Sequence, residues 1–194
     1  MDLFESHNNP ETAGNRPLAD RMRPSHLDDL KGQEHLSAPG SLLREAIEND
    51  RVFSMILWGP PGCGKTTLAG IIANETQSGF VRISAVLSGV KDIRAVIEKA
   101  KKDRSLYNRQ TILFVDEIHR FNKAQQDALL PDVESGNIRF IGATTENPHF
   151  YVNSPLLSRS LVFKLEPLTH DEIKSLLCGA VGDERGFPGK SIVL

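Results

Sequence analysis

Long hydrophobic runs, paired cysteines and a surplus of positive charge are all missing from this chain of 194 residues. No stretch approaches the roughly 18 apolar residues that cross a bilayer, so no membrane span is expected. Cysteine is limited to Cys63 and Cys178. Two lone thiols build neither a disulfide framework nor a metal cluster, which fits a reducing cytosol. The opening Met1–Asn15 has no basic start and no apolar core, so no secretory leader is expected. The 23 basic and 25 acidic residues leave a formal net charge of −2. Proteins that hold nucleic acid by bulk electrostatics are usually basic. Any such contact must therefore come from a local patch, from the geometry of an assembly, or from parts outside this chain. The balance of 39% apolar and 25% charged residues suits one soluble globular domain, or one domain plus part of a second.

What is present is concentrated in Gly59-Pro60-Pro61-Gly62-Cys63-Gly64-Lys65-Thr66. This octapeptide fits G-x-x-x-x-G-K-[ST], the loop that wraps the phosphates of a nucleoside triphosphate. A short apolar strand, Met55–Trp58, is predicted before it and a buried helix, Thr67–Ala73, after it. Glycines let successive backbone N–H groups turn inward as an anion nest, and the helix adds the positive end of its dipole. In that reading Lys65 reaches the β- and γ-phosphates of ATP and the Thr66 hydroxyl ligates Mg²⁺. Thr67, next in the helix, is grouped with the nucleotide-binding residues. Cys63 reads as a passive small residue rather than a reactive thiol.

Around this loop the chain alternates strands and helices. Further strands are predicted at 80–83, 111–115, 138–143 and 161–165, and helices at 41–49, 92–102 and 123–133. Five apolar strands separated by helices imply an α/β fold, a parallel sheet covered on both faces. Ligands of such sheets bind at the carboxyl ends of the strands. The expected domains are a disordered polar tail over residues 1–16, a base domain over 17–166 and the beginning of a second domain over 167–194. Thr169-His170-Asp171-Glu172 is a capping box that opens a new helix through Leu177. The Gly- and Pro-rich end after Cys178 reads as a cut inside that second domain.

The remaining catalytic groups are expected at the ends of neighbouring strands. Thr111–Val115 runs into Asp116-Glu117, with Asp116 in the coordination shell of Mg²⁺ and Glu117 as the base that polarises the attacking water. Asp116-Glu117-Ile118-His119 also spells D-E-x-H, found in one helicase superfamily. The chain is too short for the two domains those enzymes need, so His119 reads as a hydrogen-bonding residue at a helix start. Gly142–Pro148 ends the next strand with Thr144 and Thr145, either of which places a hydroxyl near the γ-phosphate. Ser154-Pro155 starts a short helix that ends at Ser158-Arg159.

Taken in order, GPPGCGKT, ILFVDE, ATTEN and LLSR resemble the AAA+ ATPases of the clamp-loader branch. The longer strings PLADRMRP, SMILWGPPG, RISAVLSGVKDIR, ILFVDEIHRFNKAQQD and FIGATTENPHF resemble the replication-associated recombination protein A family, whose eukaryotic relative interacts with the Werner helicase. The resemblance runs from about Pro17 onward. It implies that Leu18, Ala19, Arg21, Arg23 and Pro24, with Gly32 and Gln33, form the segment that packs on adenine. It implies that Thr145, with Thr144 as the alternative, is the phosphate sensor, and that Arg159 is a finger completing the site of an adjacent subunit. Residues 167–194 become the start of a helical lid, so hydrolysis by this length of chain is left in doubt.

The resemblance further implies a DNA-dependent ATPase in replication-fork maintenance, recombination and repair, homo-oligomeric at full length. Its DNA would be single-strand/double-strand junctions or forks. Replisome proteins such as single-strand-binding protein or a sliding clamp are partner candidates, the latter through Leu3-Phe4. Lys91 and Arg94, opening a helix whose basic face continues through Lys99, Lys101, Lys102 and Arg104, are the DNA candidates. The expected location is the bacterial cytoplasm with the nucleoid, or the nucleus of a eukaryote. Two other classes compete. A protein remodeller would need an aromatic pore loop near residues 84–92, where SAVLSGVKD has none. A non-hydrolysing scaffold would be expected to lack Glu117 or Arg159.

Overall fold

The computed structural model describes residues 17–187. The expected polar tail, its Leu3-Phe4 pair and residues 188–194 lie outside the described residues. The described residues divide into two compact units, one spanning Ser25–Leu168 and the other combining residues 17–24 with residues 169–187.

The larger unit is built on strands β1 (Met55–Trp58), β2 (Gly79–Ser84), β3 (Thr111–Asp116), β4 (Ile138–Thr144) and β5 (Leu161–Lys164). They form one sheet in the order β2-β3-β4-β1-β5. Every neighbouring pair is parallel. Its helices are α2 (Glu34–Ser37), α3 (Leu42–Glu48), α4 (Lys65–Glu75), α5 (Val90–Tyr107), α6 (Lys123–Asp127), α7 (Leu130–Glu134), α8 (Pro148–Tyr151) and α9 (Ser154–Leu157). The smaller unit holds α1 (Leu18–Arg21) and α10 (His170–Gly182). The parallel sheet expected from the apolar runs is borne out.

The strands read as continuous apolar runs because both faces are covered. Side chains alternate across a strand, so Met55, Leu57, Ile112, Phe114, Ile141 and Ala143 face one side. There they pack with Leu43 and Ile47 of α3 and Leu68, Ile71 and Ile72 of α4. Ile56, Leu113, Val115, Ile138 and Phe140 face the other side and meet Ile93 and Ile97 of α5 with Leu129, Val133 and Leu156. Burying a side chain of this size contributes about 1.5–3 kcal/mol.

Within the larger unit, two helices differ most from expectation. The span 92–102 grows to Val90–Tyr107 because polar residues continue the helix past the last apolar contact. It stops only at Asn108, whose φ of 51° is left-handed. The single helix expected over 123–133 is instead two short ones, α6 and α7. Pro131 explains the break: it has no N–H to donate, and its ring would collide with the carbonyl of Asp127 in a continuous helix. Within the smaller unit, Thr169 caps α10 as its capping box predicts. The Glu172 N–H donates to Thr169 Oγ1 at 3.3 Å, and the Thr169 N–H donates to Glu172 Oε2 at 2.6 Å. The helix runs past Leu177 to Gly182.

Candidate active site

Parallel pairing brings three segments out at one edge of the sheet. β1 lies between β4 and β5, with Trp58 level with Thr144. β3 lies beside β4, with Val115 level with Gly142. The chain after β1 is the glycine-rich loop, the chain after β3 is Asp116-Glu117, and β4 ends at Thr144 before Thr145. The order reverses at β1, since its successor β2 lies across β4 and β3, and the loop occupies that reversal, where open α/β sheets bind ligands.

The loop is held by its backbone. Gly62 and Gly64 have φ of 78° and 100°, a region that favours glycine. A Cβ on Gly59 would stand 2.5 Å from the Leu165 carbonyl oxygen, so only glycine fits there. The Gly59 N–H donates to the Thr144 carbonyl at 3.2 Å, tying the loop to β4. Gly64 offers α4 no side-chain cap, so the leading N–H groups of that helix point at the loop's interior. Lys65 is buried, and its Nζ donates to the carbonyls of Gly59 at 2.7 Å and Pro60 at 2.9 Å. Thr66 follows it in the first turn, partly exposed. Cys63 is 2% exposed, which shields its thiol.

Gln33 braces this loop from a distance. Its side chain is fully buried, and Nε2 donates to the Cys63 carbonyl at 3.2 Å and the Glu166 carbonyl at 2.8 Å. The Glu166 N–H donates back to Gln33 Oε1 at 3.0 Å. The amide thus clamps the loop to the chain leaving β5. Gly32, just before it, has φ 76°. The residues expected to pack on adenine divide between the two units: Gly32 and Gln33 belong to the sheet unit, and Leu18, Ala19, Arg21, Arg23 and Pro24 to the other. Arg23 Nε pairs with Asp20 at 2.8 Å.

On the acidic side, Asp116 Oδ2 accepts a hydrogen bond from Arg82 Nη2 at 2.6 Å. The Arg82 guanidinium also lies 5.8 Å from the centre of the Phe114 ring, a cation–π contact. Glu117 has φ 57° and ψ 48°, an arrangement that costs a non-glycine residue on the order of 1–3 kcal/mol and that clusters at functional sites. Its Oε2 lies 3.2 Å from His119 Nε2. His119 sits in the 3-10 turn Ile118–Arg120, and its Nδ1 lies 3.0 Å from Thr144 Oγ1.

The two threonines at the end of β4 differ. Thr144 is fully buried, and its hydroxyl also accepts from the Glu146 N–H at 3.0 Å. Thr145 is partly exposed, and its hydroxyl has no partner among the described residues. Arg159 follows α9 on the surface, donating to Pro155 O at 2.7 Å and Ser158 Oγ at 3.1 Å and pairing with Glu134 at 2.5 Å.

Lys91 and Arg94 open α5 exposed, with no acidic partner among the described residues. The rest of that basic face is partly neutralised. Hydrogen bonds that it donates to Glu98 and then Asp132 hold the Lys101 ammonium above its ordinary pKa. Arg104 Nη1 is turned to the Gly136 carbonyl at 2.6 Å.

Sequence reading alone missed three contributors: Arg82, the clamp made by Gln33, and the contact of His119 with Thr144. A lone arginine inside the apolar run Phe80–Ile83 was a signal for the first. The other two depend on residues brought together across the fold, 133 positions apart for Gln33 and Glu166 and 25 for His119 and Thr144.

The family described as ATPase family associated with various cellular activities (AAA) matches residues 55–166, from the first residue of β1 to the residue that closes the Gln33 clamp. Replication-associated recombination protein A of Escherichia coli (strain K12) is 56% identical over 180 residues, covering 92% of this chain and 40% of that protein. ATPase WRNIP1 of Dictyostelium discoideum is 51% identical over 161 residues, 83% of this chain and 18% of that protein. The chain thus spans about two fifths of the length of its bacterial relative. Among solved structures, the Thermotoga maritima RuvB Holliday junction branch migration motor is 35% identical with a TM-score of 0.69, covering 83% of this chain and 54% of that one. Strand order, phosphate loop, paired acids and these similarities agree, and the chain belongs to the AAA family of ATPases.

Proposed function

We propose that this chain binds ATP at Gly59–Thr66 and hydrolyses it as the core of a DNA-dependent motor for replication-fork maintenance and recombination. The observation that carries the reading is the convergence of Lys65 and Thr66 after β1, Asp116 and Glu117 after β3, and Thr145 after β4 at one sheet edge. The names of the relatives, replication-associated recombination proteins and a branch migration motor, supply the DNA context.

Among the described residues no group of three or more His, Cys, Asp or Glu could hold a metal ion by itself. The donor set at the loop, one hydroxyl and one carboxylate, suits Mg²⁺ that arrives with the triphosphate and keeps several waters. Thr66 and Asp116 would hold it, and it would neutralise charge on the phosphate oxygens when bound. Lys65 supplies the fixed positive charge of the loop and exchanges its carbonyl partners for phosphate oxygens. Glu117 orients the water and takes its proton. The unpartnered hydroxyl favours Thr145 over Thr144 as the group near the γ-phosphate. Arg159, exposed and off its own loop, is the finger for a neighbouring copy, a device that contributes several orders of magnitude in other phosphoryl-transfer enzymes. Leu18, Ala19, Arg21, Arg23, Pro24, Gly32 and Gln33 form the adenine side, and α10 opens the lid.

Lys91 and Arg94 are the proposed DNA contacts. Junction or fork DNA, single-strand-binding protein and a sliding clamp are the proposed partners, in bacterial cytoplasm or a eukaryotic nucleus.

The test is ATP turnover by this chain and by a full-length relative, with and without junction DNA, using Glu117→Gln and Arg159→Ala. Junction-stimulated turnover lost in both variants is the expected result. Turnover indifferent to DNA, or surviving Arg159→Ala, would sink the motor with a shared site.

A further inference from the structure

We propose that His119 is a positioning residue for the base, fixing the Glu117 carboxylate and connecting it to the end of β4; the inference rests on the reading of Glu117 as base. The proposed role implies a definite order of donors. An ionised Glu117 only accepts, so the His119 Nε2–H is the group that faces it across the 3.2 Å ion-pair contact. Nδ1 of a neutral ring is then an acceptor, and the Thr144 hydroxyl 3.0 Å away gives it the proton that it could otherwise give to the Glu146 carbonyl at 3.2 Å. Thr144 Oγ1 in turn accepts from the Glu146 N–H at 3.0 Å. In that arrangement each donor along Glu146, Thr144, His119 and Glu117 points the same way, toward the carboxylate, and the tautomer of His119 tests it.

The anchor is rigid where the carboxylate is not. The His119 side chain is 10% exposed against 40% for Glu117. The Tyr151 ring meets the imidazole edge-on, centroids 6.1 Å apart, and fixes its plane. Thr144 is fully buried and also accepts the loop's Gly59 N–H on its carbonyl. One oxygen of Glu117 is thereby held, and the other is left to face water. Because Thr144 immediately precedes Thr145, a shift at the end of β4 moves the imidazole and with it the base.

The decisive comparison uses two amides that imitate opposite nitrogens of the ring. His119→Gln keeps a donor near the Nε2 position and should retain most turnover. His119→Asn keeps only the Nδ1 side and should lose as much as His119→Ala, on the order of ten-fold in kcat with KM for ATP unchanged. Equal behaviour of Gln and Asn, or a change confined to KM, would overturn the proposal in favour of simple packing. Glu117→Gln separates the layers: if that variant hydrolyses normally the base reading fails, whereas a dead Glu117→Gln beside fully active His119 variants refutes only the role of His119. A second readout needs no turnover. Long-range ¹H–¹⁵N spectra should show His119 as the Nε2–H tautomer, with an Nδ1 resonance that moves in Thr144→Val. An Nδ1–H tautomer, or no response to Thr144→Val, would overturn it equally.

Discussion

The phosphate loop takes its shape from consecutive residues, Gly59 to Thr66, whereas the acidic side draws on Arg82 in β2, Asp116 and Glu117 after β3, His119 in a 3-10 turn and Thr144 in β4. In the loop, glycine backbone angles and one buried lysine do the positioning, so adjacency in sequence is adjacency in space. Across the acidic side, position depends on strand register, and the Asp116 carboxylate is met by Arg82 from the neighbouring strand. The first kind of construction is robust and visible in a motif. The second can be adjusted one contact at a time.

The largest effect should come from the loop. Lys65→Ala removes charge-assisted hydrogen bonds and should weaken ATP binding on the order of 100-fold in calorimetric titration. Affinity within about three-fold of the parent would mean that backbone N–H groups alone hold the phosphates. Next, Gln33→Ala tests whether the loop is as self-sufficient as its motif suggests. It deletes three hydrogen bonds, one buried and two partly buried, and strands the Cys63 and Glu166 backbone groups. Loss of about 3 kcal/mol should show as a lower urea midpoint. An unchanged midpoint would restore the loop's independence. On the acidic side, Arg82→Ala frees an ion pair that is 46% and 23% exposed at its two ends. It should lower turnover only about three- to ten-fold, the scale of a partly screened pair plus some misplacement of Asp116. A loss as large as that of Lys65→Ala would make Arg82 part of the chemistry. The smallest change is expected for Pro131→Ala, within about 1 kcal/mol of the parent. Carbon chemical shifts should then show one helix across 123–134, and two helices persisting would shift the cause of the break to packing.

The same contrast explains what could be read in advance. All five strands and the phosphate loop were legible, because buried parallel strands are apolar runs and the loop is contiguous. Asp116 and Glu117 were legible because they end such a run. The split of α6 from α7 was written in Pro131, yet the apolar periodicity of Lys123–Val133 outweighed it. Arg82, His119 and Gln33 were legible as residues but not as partners, since register decides that Ser84 of β2 is level with Asp116 and closure of the unit decides that residue 33 meets residue 166. The different burial of Thr144 and Thr145 was not legible either, because alternation along β4 does not settle exposure at a strand end.

The clamp from Gln33 to Glu166 also sets a timetable for biosynthesis. Gln33 and the loop both emerge from the ribosome about a hundred residues or more before Glu166, the other anchor of the clamp, and that contact closes 133 positions of chain. Non-local closures of this length come late in folding because their entropy must be met before the contact forms. A nascent chain therefore acquires its nucleotide loop in final form only after β5 has been added beside β1. Until then the core cluster on the α3 and α4 face lacks Leu165 and Phe163, which makes completion of the last strand the moment at which this unit becomes both stable and competent to bind.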